Sequence, residues 1–161
     1  RSLMFRSPTV EVFSPGFYIV DMGQATQTVA NCLKPYGLVY DLTINHKIPV
    51  WWLINPNKAK DGVDLTINST NYSGGPFVIA ADFAAAASNV VATWRAKGVI
   101  INGPINATIT NSAYQITRFP NAVLDQQNGS IAATYYTRAE IPASSYVLKG
   151  NPSLLTTCDD L

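Results

Sequence analysis

The run Ile48-Pro49-Val50-Trp51-Trp52-Leu53-Ile54 carries no polar side chain at any position. Successive side chains of a strand point to opposite faces, so a strand of this kind needs cover on both sides. It closes on Asn55-Pro56-Asn57, a turn by composition. The segment therefore belongs in the middle of a sheet, with one layer above it and one below. Pro76-Phe77-Val78-Ile79-Ala80 has the same character, and Phe17-Tyr18-Ile19-Val20 is a shorter apolar, β-rich run.

Other segments alternate with these. After Asp21 and Gly23, Thr26 is placed to cap a helix through Leu33, which Pro35 and Gly37 then interrupt. The stretch 38–42 resumes as helix or strand. Val63-Asp64-Leu65-Thr66-Ile67 alternates with period two, as a half-exposed strand does. Residues 84–97 form the best helix: Ala-rich, with Val90, Val91 and Trp94 on one face and Gly98 as a stop. Val99-Ile100-Ile101 follows as a strand, and Ile109, Tyr114, Ile116 and Phe119 alternate in a strand or hairpin over 107–120. Ala122-Val123-Leu124 ends in Asp125, after which Ser130 can cap a helix through Tyr136. Strands alternating with helices predict an α/β fold: a mostly parallel sheet flanked by helices, with an inserted β-hairpin.

The chain has 161 residues, the size of one domain. Residues 1–15 read as an extended segment and 16–161 as a single domain. The ending Thr157-Cys158-Asp159-Asp160-Leu161 looks like the approach to a further strand, so the domain is expected to continue in a longer protein.

Charged residues make up 13% of the chain, about half the usual share. Thirteen Asn, eleven Ser and fourteen Thr supply the polar surface instead. Neutral amides and hydroxyls are more typical of secreted and cell-surface proteins. A net charge of +1 without Lys/Arg runs argues against a nucleic-acid partner. No stretch of about 18 apolar residues predicts membrane insertion.

Ligands of open α/β sheets gather at the carboxyl ends of the strands. Those ends here carry Asp21 and Gln24, Asn55 and Asn57, Asp82, Asn102, and Asp125 with Asn128. Carboxylates from three segments could build a hydrolytic site or a weak oxygen-ligand metal site. The same residue types also serve as turn formers and helix caps. No Gly-x-Ser-x-Gly elbow, Walker loop or Gly-x-Gly-x-x-Gly occurs, and Ser73-Gly74-Gly75 precedes a strand and reads as a turn. His46 is the single histidine, at the amino end of the Ile48 strand and away from that rim, so a dyad with Cys32 is not expected. No cofactor and no metal is called for. Cys32 and Cys158 either pair, closing a loop worth about 4–5 kcal/mol on an entropic account, or stay separate thiols with Cys32 in a helical core. Sequons fall at Asn68, Asn71, Asn106 and Asn128. Trp51 and Trp52 point to opposite faces, and no row of aromatics on one solvent face suggests a carbohydrate platform.

Several blocks carry a resemblance: residues 18–23, residues 33–42, Ile48-Pro49-Val50, Ile54-Asn55-Pro56, residues 58–64 and Gly74-Gly75-Pro76-Phe77. Leu124-Asp125, Gln127-Asn128-Gly129 and Cys158-Asp159-Asp160 extend it. Together they resemble a domain near the start of large secreted Bacteroidota surface proteins. Those proteins bear adhesive repeats and a gliding-motility-type sorting domain for type IX secretion. The match runs from about Gly16 onward and implies an extracellular or cell-surface location, but assigns no activity. The order of elements also loosely resembles glutamine-amidotransferase-like α/β domains, whose nucleophilic cysteine is not recognisable here.

The sequence thus favours a non-catalytic module of an extracellular or cell-surface protein, acting in adhesion or assembly. Its partners would be other domains of the same parent chain, and surface proteins or glycans. A hydrolase or amidotransferase-like enzyme using Asp21, Asp82 and Asp125, and the subunit of a surface fibre, are the alternatives.

Overall fold

The computed structural model describes residues 8–23, 31–151 and 154–156. In chain order the elements are β1 (Thr9–Phe13), β2 (Phe17–Val20), α1 (Lys34–Tyr40), β3 (Val50–Leu53), β4 (Val63–Ile67), β5 (Thr70–Ser73) and β6 (Phe77–Ile79). Then follow α2 (Ala81–Ala96), β7 (Ile101–Ile105), β8 (Ile109–Ile116), β9 (Ala122–Asp125), α3 (Gly129–Arg138) and β10 (Tyr146–Lys149).

Six strands make the main sheet in the order β1-β8-β3-β6-β2-β7. Every neighbouring pair is antiparallel. This overturns the expected mostly parallel sheet, and the reason lies in β2. The β6–α2–β7 passage does bring two strands parallel to one another, as its pattern demands, but β2 runs between them in the opposite direction. Among the described strands only β9 and β10 pair in parallel, joined through α3. β4 and β5 form a hairpin, and of the two readings open for 107–120 the strand holds, 109–116 being one strand of the main sheet.

Both faces of the sheet are covered, which is why its central strands are apolar throughout. On one face Tyr18, Val20, Val50, Phe77, Ile79, Ile101 and Ile116 pack against Leu38 and Val39 of α1 and Ala87, Val90, Val91 and Trp94 of α2. On the other, Phe17, Ile19, Trp51, Leu53, Val78 and Ala113 meet Ile67 and Tyr72 of the β4–β5 hairpin. A two-sided antiparallel sheet writes the same continuous apolar strands as a parallel one.

Pro35 opens α1 instead of ending a helix, because a first-turn proline gives up an N–H that would have no partner anyway. Of the helix expected from the Thr26 cap through Leu33, the part up to Ala30 lies outside the described residues, and 31–33 form a turn, not a helix. Cys32 sits in an exposed turn, not in a helical core, and Cys158 lies outside the described residues.

The β9–α3–β10 unit is tied to the sheet through α1. Gly37 lies so close to the end of α3 that a Cβ there would stand 1.8 Å from the Ala139 carbonyl oxygen. Beside it, Glu140 accepts from Lys97 Nζ at 2.5 Å and pairs with Lys34 Nζ at 3.4 Å. Lys34 also donates to the Lys97 carbonyl, and the Lys97 ammonium rests over the Trp94 ring.

Two outcomes follow. Gly37→Ala should destabilise the fold by about 1–3 kcal/mol through overpacking, although Ala in mid-helix normally gains about 1 kcal/mol over Gly. Denaturant titration reads the sign. The Glu140 carboxyl is held below its usual value, chiefly by the hydrogen bond from Lys97. Its folded value is thus below its unfolded one. Its contribution is full above the unfolded value and disappears as pH falls through the lowered one. Thermal midpoints of wild type and Glu140→Gln should therefore differ at neutral pH and converge in acid.

Candidate functional site

Asp64 projects inward from β4, its carboxylate wholly buried. Oδ1 accepts the Asn55 N–H at 3.0 Å, and Oδ2 accepts the Gly75 N–H at 2.9 Å and Lys58 Nζ at 2.6 Å. Two backbone donors and an ammonium satisfy a charge that burial would otherwise penalise heavily. Gly75 has a φ of +72°, and a Cβ there would reach to 2.4 Å from Trp52 Nε1. Only glycine fits, and its carbonyl in turn accepts the Trp52 Nε1–H at 3.1 Å. The chain of contacts Lys58–Asp64–Gly75–Trp52 fixes the indole where it meets a cleft.

That cleft lies between α1, the β8–β9 link and α3. A hollow of about 180 Å³ is walled by Tyr36, Val39, Trp52, Phe77, Ile116, Phe119, Pro120 and Tyr136, with Arg118 on its lining. A second, of about 220 Å³, shares Tyr36, Phe119 and Tyr136 and continues over Leu33, Tyr135, Ala139 and Ile141. The rings hold one another edge to face: Tyr36 on Phe77 at 6.0 Å, Tyr40 on Phe119 at 5.0 Å, and Tyr136 on Tyr146 at 4.9 Å between centroids. Burial raises the Tyr36 and Tyr136 hydroxyls above the usual tyrosine value, with lesser contributions from Cys32 and Tyr146. Both stay protonated donors through the neutral range.

The rim of polar residues expected from sequence does not assemble. Asp21 follows the Val20 end of β2, while Asp82 follows the β6 end that pairs with Tyr18, so the two lie off opposite ends of neighbouring strands. Asp125 stands on the separate β9–β10 sheet. Asp21 accepts the Gly23 N–H at 3.0 Å in a turn. Asn55 accepts the Asn57 N–H, and Asp125 accepts the Asn128 N–H at the start of α3. Asn102 donates to the Tyr72 hydroxyl at 3.1 Å, bridging sheet to hairpin. Gln24 lies outside the described residues. Among the described residues, no group of three or more His, Cys, Asp or Glu side chains could hold a metal ion. No helix among them is long and apolar enough to cross a membrane.

Comparison with protein-family models, curated proteins and solved structures finds no match. The site is therefore read from its own geometry. Sequence reasoning missed the cleft because its walls come from α1, β3, β6, the β8–β9 link and α3, with no common period. It also missed Asp64, whose place in an alternating strand marks it as an outward residue of a hairpin.

Asp64→Ala leaves the Lys58 ammonium and two buried N–H groups unpaired. It should cost about 3 kcal/mol or more of unfolding free energy, with a smaller loss for Lys58→Met, both read from urea midpoints.

Proposed function

We propose that the chain is a non-catalytic binding module of an extracellular or cell-surface protein, with a role in adhesion or assembly. The aromatic cleft carries this reading. Each of its two hollows exceeds the roughly 150 Å³ that suffices for a benzene ring in an apolar protein cavity. The walls are rings and aliphatic side chains, so what enters is apolar: two neighbouring side chains of a partner protein or of another domain of the same parent chain. The neutral Asn/Ser/Thr-rich surface and the resemblance to large secreted Bacteroidota proteins support the same setting. The hydrolase alternative required two of Asp21, Asp82 and Asp125 in one pocket, and their separation lends it no support.

The test uses 1-anilinonaphthalene-8-sulfonate, an aryl probe with an anionic group. The folded chain should bind it at one saturable site, and Phe119→Ala and Tyr136→Ala should each weaken binding by about tenfold, some 1.4 kcal/mol. Near-ultraviolet circular dichroism confirms that the variants remain folded. Absent binding, or equal binding by the variants, rejects the cleft as the site.

A further inference from the structure

The two edges of the main sheet are treated differently. At β7 the Ile100 carbonyl faces inward, accepting the Asp21 N–H. Alternation along the strand then turns the Ile101 and Gly103 carbonyls outward. Arg95 takes both, through Nε at 2.9 Å and Nη2 at 2.8 Å. Pro104 next to them offers no N–H. This edge is closed to a further strand.

At the other edge β1 pairs only with β8 among the described residues. Val10 and Val12 on this strand are 76% and 63% exposed. Native proteins usually blunt such an edge with charge, proline or a bulge, because it is a template for pairing. Here Pro8 and Pro15 flank the strand, and Glu11 is its only charged residue.

We propose that β1 pairs antiparallel with β1 of a second copy, giving a two-fold symmetric dimer with one continuous sheet. The single carboxylate of the strand, Glu11, selects the register. Centring the axis on Glu11 would set two carboxylates directly opposite, which is destabilising. Centring it on Val12 would set Glu11 against Phe13, a buried ring. Centring it on Val10 sets Val10 against its own copy, Glu11 against Thr9 in both directions, and Val12 against Pro8. One face of the new pair is then wholly apolar. The other repeats between chains a contact that already exists within one, where the Thr9 hydroxyl donates to Glu11 at 2.6 Å. The occupant is a copy because the antiparallel edge is its own complement in this register. A net charge of +1 gives two copies little mutual repulsion. Since β7 is sealed, pairing stops at two chains, which separates this assembly from an edge-to-edge fibre.

Sedimentation velocity of the whole chain over a dilution series should show a monomer–dimer equilibrium. Val10→Lys places two ammonium groups on the axis and should raise the dimer dissociation constant by about tenfold or more, while the thermal midpoint of the monomer stays unchanged. In a Cys32→Ser, Cys158→Ser background, Val10→Cys should cross-link on oxidation, and Ile131→Cys, equally exposed on α3, should not. A monomer at every concentration assigns the edge to some other strand and overturns the proposal. So does a dimer indifferent to Val10→Lys, or equal cross-linking at Ile131.

Discussion

Placing the Asp64 carboxylate in the interior costs several kcal/mol of lost hydration before any partner is counted. The return comes from three donors on two stretches of chain: Lys58 and Asn55 in the β3–β4 connection, and Gly75 just before β6. Because β4 belongs to the hairpin layer and the donors belong to the sheet and its loops, the ion pair pins one layer to the other. Without that layer, Phe17, Ile19, Trp51, Leu53 and Val78 would line an open face. The two-sided cover of the central strands thus depends on a polar contact that is itself hidden by the apolar surface it holds together.

The same contact reaches the opposite face. Gly75 receives nothing but hydrogen on its Cα, and this lets the Trp52 indole approach its carbonyl. Trp52 then faces α1 and the cleft, while its neighbour Trp51 packs under the hairpin. Adjacent tryptophans on one strand therefore divide between the two layers, one as core and one as the floor of the binding surface.

Much of this was legible in the chain and part of it was not, for reasons that differ by residue. The strands at Ile48 and Phe77, and the helix ending at Gly98, declare themselves through local pattern. The direction of neighbouring strands does not, since β2 enters between β6 and β7 from far earlier in the sequence. Pro35 shows a related ambiguity: proline stops a helix from within but begins one from its first turn. Asp21, Asn55, Asp125 and Asn128 were rightly marked as residues that follow strands. The Asp21, Asn55 and Asp125 side chains accept local backbone N–H groups, that of Asn128 among them, which is the ordinary use of such residues there. The cleft could not be read at all, because half-buried aromatics from five segments share no period and gain meaning only by meeting.

That meeting occurs at a seam. The β9–α3–β10 unit leans on α1, and the contact is close at Gly37 and Ala139, where the Lys34–Glu140–Lys97 cluster clamps it. Away from the clamp the surfaces diverge, and aromatic rings line the gap without filling it. A seam held at one end and open at the other suits recognition. The proposed binding surface falls where two units of structure join, the usual place for ligand clefts. The ion-pair cluster beside it includes Lys34 of α1, the same helix that carries Tyr36. Strength of the clamp and shape of the cleft are thus coupled through a single short helix.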